Sequence, residues 1–101
     1  SYLNGRQVLI RWETAIEVDN LLFRVYRAPT ADWSDATLLV EVPSQAQAGH
    51  GAFYAYVDDI PDAGPWWYWV EDVNTMGGTV LHGPVEAFQG AFRYHLPIVV
   101  R

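Results

Sequence analysis

The stretch Gln7-Val8-Leu9-Ile10-Arg11-Trp12-Glu13 places Val8, Ile10 and Trp12 on one side of the chain and Leu9, Arg11 and Glu13 on the other. That is the period of a half-buried β-strand, whose successive side chains point to opposite faces. The same period returns along the sequence. Phe23, Val25 and Arg27 alternate with Arg24, Tyr26 and Ala28, and Ala36 to Val42 make a third run closed by Pro43. Ala52 to Ile60 and Trp66 to Val73 are the fourth and fifth, separated by Pro61-Asp62-Ala63-Gly64-Pro65. Thr79 to Phe88 is a sixth, bent at Gly83-Pro84, and Phe92 to Val100 a seventh that Pro97 demotes to an edge. Ser44 to Gly51 reads as a small polar loop and Asn74 to Gly78 as a tight glycine turn.

No segment sustains a helical period, and β-branched and aromatic residues fill the runs. Short strands with turn signals between them predict an all-β fold, an antiparallel β-sandwich of about seven strands rather than βαβ units. Alternation assigns Val8, Ile10, Trp12, Phe23, Val25, Leu39, Val57, Ile60, Trp66, Tyr68 and Val70 to the core. The phase of the fourth strand is ambiguous, because Tyr54 and Tyr56 compete with Phe53, Ala55 and Val57 for the inner face.

The composition narrows the function classes. A chain of 101 residues suits one domain, and neither an internal repeat nor a linker divides it. Residues 1–90 are expected to form the sandwich and 91–101 a C-terminal tail, as an extra edge strand or as a sorting or attachment signal. The net charge of −6 includes six scattered arginines and no lysine, which argues against a nucleic-acid partner. The absence of cysteine removes disulfide frameworks, thiolate metal sites and cysteine nucleophiles together. No run approaches the roughly 18 apolar residues of a membrane span. Ser1 opens neither a basic nor an apolar leader, so the chain is expected to be a piece cut from a longer polypeptide.

Trp12-Glu13-Thr14-Ala15-Ile16-Glu17-Val18-Asp19-Asn20, followed by Phe23-Arg24-Val25-Tyr26-Arg27, resembles a variant of the fibronectin type III fold found in bacterial secreted and cell-surface multidomain proteins. Ile60-Pro61-Asp62-Ala63-Gly64-Pro65-Trp66 resembles the stretch joining strands E and F of that family, and Tyr68 to Asn74 its strand F. The resemblance covers about residues 7 to 87. It departs at Trp66, where the family usually has tyrosine, at Leu22, where glycine is common, and at strand A, which is truncated or missing. It implies an immunoglobulin-like sandwich in a secreted or cell-surface setting, with neighbouring domains of a longer chain or a surface protein as partners. It also implies that strands C and F are neighbours.

Candidate chemistry is sparse. If Trp66, Tyr68 and Val70 face inward, Trp67 and Trp69 face outward beside Arg24 and Tyr26. These four are the candidate ligand-binding residues. Flat indoles suit stacking on sugar rings, with polysaccharide as the alternative partner, and Arg24 suits a cation–π contact. The competing reading is a cross-strand ladder that stiffens the sheet. Trp33, in the turn Asp32-Trp33-Ser34-Asp35, is expected to plug the sandwich end, with contact to a ligand as the alternative. Asp58, Asp59 and Asp62, like Glu17 and Asp19, read as solvated turn residues, because calcium-loop spacing is missing. His50, His82 and His95 lie in separate elements without metal-ligand spacing, and Ser1, Ser34 and Ser44 lack a nucleophile context. The expectation is a non-enzymatic module with no cofactor and no metal, acting as spacer, scaffold or interaction domain.

Overall fold

The computed structural model describes residues 7–14, 19–45, 51–61 and 64–87. Within them lie six strands: β1 (Gln7–Glu13), β2 (Asn20–Ala28), β3 (Thr37–Pro43), β4 (Phe53–Asp59), β5 (Trp66–Asn74) and β6 (Thr79–Ala87). A 3₁₀ turn at Trp33–Asp35 sits between β2 and β3. β1 and β4 pair as one antiparallel sheet, and a second runs in the order β3-β2-β5-β6. The fold is an all-β sandwich. The expected seventh strand, the 91–101 tail, Glu17, Asp62, His50 and His95 lie outside the described residues.

Val8, Ile10, Trp12 and Tyr54 of the first sheet bury against Phe23, Val25, Tyr68, Val70 and Ala87 of the second, with Ile60 beside them. Trp12 stacks on Tyr54 at a centroid distance of 5.5 Å, and Phe23 meets them at 5.8 and 4.7 Å. Each such pair adds about 0.5–1.5 kcal/mol beyond the area it buries. This aromatic centre lets a short chain without disulfides fold.

Three residues assigned to the core need correction. Val57 faces solvent, 38% exposed, and Phe53 beside it is 74% exposed. The register sets Trp12 opposite Tyr54, Ile10 opposite Tyr56 and Val8 opposite Asp58, so the even-numbered residues of β4 share the inner face. Tyr54 suits that face because its ring stacks on Trp12 while its hydroxyl accepts a hydrogen bond from the Gln45 N–H at 3.0 Å. Leu39 and Trp66 are only half-buried at the core margin. Leu39 is the extra residue where β3 slips register against β2 between Val40 and Leu38. Trp66 carries the Arg27 guanidinium over its ring at 4.8 Å.

Asp58 is also corrected, from a solvated turn residue to a buried one. Arg27 Nη1 donates to its two oxygens at 2.9 and 3.0 Å, and the Tyr68 hydroxyl donates to Oδ2 at 2.7 Å. One carboxylate thus ties β4 of the small sheet to β2 and β5 of the large one. Burial pushes the Tyr68 hydroxyl pKa well above its ordinary value, and the hydrogen bond to Asp58 pushes it further. Asp59 points to the opposite face, where it accepts from Gln7 Nε2 at 2.7 Å.

The β5–β6 connection is the expected glycine turn. The Asn74 side-chain oxygen accepts from the Met76 and Gly78 N–H groups at 2.9 Å each, and Gly77 takes a φ of +88°. Beyond it β6 bends where Gly83-Pro84 suggested. Tyr68 stands opposite Val85 and Val70 opposite His82, so Gly83 and Pro84 together face Trp69. Gly83 has a φ of +122°, and a Cβ there would lie 2.7 Å from the Tyr68 carbonyl oxygen. Only glycine fits this bulge.

Candidate functional site

The candidate residues fall on the outer face of the four-stranded sheet, and cross-strand register orders that face in rows. Glu41, Arg24, Glu71 and Leu81 make one row, running from β3 to β6. Leu38, Tyr26 and Trp69 make the next, and Ala28, Trp67 and Glu86 the one beyond. Rows lie two residues apart along a strand, roughly 7 Å. Arg24, Tyr26 and Trp69 are therefore brought together as expected, with Trp67 one row further on and half-buried.

Polar groups in the first row engage one another. Arg24 Nε donates to Glu41 at 2.8 Å and its Nη1 to Glu71 at 3.4 Å, while the Tyr26 hydroxyl donates to Glu71 at 2.9 Å. The hydrogen bond that Arg24 donates to Glu41 raises the Arg24 pKa and keeps the guanidinium charged. Burial raises the Tyr26 hydroxyl, and the bond to Glu71 adds to it, so Tyr26 stays a neutral donor. Asp72 alternates to the inner face, where its carboxylate meets His82 Nε2 at 2.8 Å. Glu71 and Asp72 thus point apart, as their adjacency in a strand requires.

The exposure expected of Trp69 does not hold. Trp69 is on the outer face but only 2% exposed, because Trp33 covers it. The Trp33 ring meets Tyr26 edge-to-face at 4.7 Å and Trp69 at 5.6 Å. Trp33 therefore lies over the outer face of the sheet instead of plugging its end, and at 42% exposure it is the most exposed ring of this cluster. Its turn is tied down locally. Asp32 caps the 3₁₀ segment by accepting from the Ser34 N–H at 3.0 Å, and the Thr30 hydroxyl donates to Asp35 at 2.6 Å. Accepting the Ser34 N–H lowers the Asp32 pKa.

Glu41, Glu71 and Trp33 were not among the candidate residues. Glu71 was readable, since it stands two positions from Trp69 and shares its face. Glu41 needed the β2–β3 register, which the sequence leaves open. Trp33 needed the path of a loop, for which no periodicity exists. No group of three or more metal-binding side chains occurs among the described residues. No described helix is long and apolar enough to cross a membrane. Comparison with protein-family models, curated proteins and solved structures finds no match.

Proposed function

We propose that this chain is a non-catalytic, fibronectin type III-like module of an exported bacterial protein, secreted or displayed at the cell surface, which spaces, orients or scaffolds neighbouring domains. The observation that carries the proposal is the link between the two sheets. A buried carboxylate, Asp58, holds Arg27 and Tyr68 from across the sandwich. Such a link opposes sliding and opening of the layers, the property a spacer needs. The strand order supports the family reading, because β2 and β5 are paired neighbours, as the resemblance implies for strands C and F. The outer face supports it too, since Arg24, Glu41, Glu71 and Tyr26 bond to one another and brace three strands.

The test is mechanical. With a donor and an acceptor fluorophore fused at its two ends, the module should give one narrow single-molecule transfer distribution. That distribution should hold through added urea until a single cooperative unfolding transition. A broad distribution that drifts with urea from the outset, as for a flexible linker, would overturn the reading.

A further inference from the structure

We propose that the outer face of the β3-β2-β5-β6 sheet is a binding platform for neutral polysaccharide, with Trp33 as the ring that stacks on a sugar and Arg24 and Glu41 as its hydrogen-bonding neighbours. This goes beyond spacing and does not depend on it.

Three observations converge on this face. First, Trp33 is a solvent-facing indole held in place by Tyr26, Trp69 and the Asp32 cap. A stacking surface fixed before the ligand arrives avoids the ordering cost that weakens flexible contacts. Second, two of the large sheet's three register slips border the Tyr26–Trp69 row. One lies at Leu39 of β3 and the other at Gly83-Pro84 of β6. Bulges are frequent beside functional sites because they re-aim side chains, and the absent Cβ of Gly83 leaves room for the Trp69 indole, whose Cδ1 would lie 3.1 Å from it. Third, the row beside the ring offers donors and acceptors together. Arg24 has N–H groups and Glu41 an outward carboxylate, which match the paired hydroxyls of a sugar.

Charge selects the ligand class. Arg24, Glu41 and Glu71 together carry one net negative charge, and the whole chain carries −6. Uronate-rich and phosphate-bearing polymers would be repelled, so an uncharged glycan is the complementary partner. Leu38, exposed next to Tyr26, extends the apolar strip along the same row.

The test uses the whole chain, titrated with linear neutral hexasaccharides of β-linked glucose, xylose, mannose and N-acetylglucosamine, with polygalacturonate as the charged comparison. Indole N–H cross-peaks in a ¹H–¹⁵N spectrum report each tryptophan separately. At least one neutral hexasaccharide should shift the Trp33 peak saturably, while polygalacturonate leaves it in place. Trp33→Ala should weaken binding roughly tenfold, the size of a lost aromatic stacking contact. Trp33→Phe should retain most of the affinity, and Glu41→Gln should weaken binding a few fold with the remaining spectrum unchanged. Three outcomes would each overturn the proposal: no neutral sugar moves the Trp33 peak, polygalacturonate moves it equally, or affinity survives Trp33→Ala. Should the same peak answer only to a protein ligand, the face is a protein-docking surface and the proposal fails.

Discussion

Arg27→Met isolates the contribution of the link between the sheets. The Asp58 side chain is only 5% exposed and receives its hydrogen bonds from Arg27 and Tyr68. Removing the guanidinium leaves a buried carboxylate with the Tyr68 hydroxyl as its remaining donor among the described residues. Stripping one partner from a buried ion pair costs about 3–5 kcal/mol. The Arg27 side chain keeps 20% exposure, so some solvent already reaches the pair and the lower end applies. The expected loss is about 3 kcal/mol, a fall in Tm of roughly 12–24 °C for a domain of this size. Asp58→Leu should cost less, about 2 kcal/mol, because the orphaned Arg27 can extend its head group toward water. The double variant Arg27→Met/Asp58→Leu is the decisive arm. With both charges gone only the Tyr68 hydroxyl loses its partner, so it should lose only about 2 kcal/mol, well short of the two single losses combined. Urea unfolding followed by tryptophan fluorescence measures all four proteins. Additive losses, or single losses under about 1 kcal/mol, would refute the idea that this pair locks the layers.

Tyr68 holds its proton in the folded state well above the pH at which a free tyrosine loses it, so the folded state binds more protons than the unfolded state in alkali. Stability should therefore be intact below about pH 10 and fall above it, by up to roughly 1.4 kcal/mol per pH unit from this residue, and Tyr68→Phe should flatten that slope in pH-dependent urea melts. Gly83→Ala meets both a positive φ and a carbonyl oxygen at 2.7 Å, and should cost about 3 kcal/mol in a thermal melt; an unchanged Tm would mean the bulge is absent. Tyr54→Ala should cost about 3–5 kcal/mol, while Val57→Thr on the opposite face of β4 should stay within about 0.5 kcal/mol. The reverse order would show the strand in the other phase.

Much of the architecture was legible because a two-residue period speaks for itself when one face is charged. β1 alternates apolar with Arg11 and Glu13 toward its end, and its bounds match the expected run. β4 was not legible. Phe53, Val57, Tyr54 and Tyr56 are all large, so neither phase looks polar, and the choice rests on the Tyr54 hydroxyl finding Gln45 and on Asp58 finding Arg27. β2 begins earlier than expected, at Asn20, with Leu21 out of register and half exposed. At the candidate site, alternation placed Arg24, Tyr26, Trp67 and Trp69 on one face. It could not show that Trp69 would be covered, because the covering ring comes from a loop. A period describes which side a residue faces, and a neighbour from elsewhere in the chain decides whether that side is wet.

β5 divides its aromatics between two environments, Tyr68 inside the sandwich and Trp69 outside beneath Trp33. Nuclear Overhauser contacts among the aromatic rings report this division. Trp69 should contact Trp33, as should Tyr26, whereas Trp12 should contact Phe23 and Tyr54, with no cross-peaks between the two groups. Strong contacts from Trp69 to Phe23 or Trp12, or a Trp69 indole that exchanges freely with water and makes no contact to Trp33, would place Trp69 on the wrong side of β5.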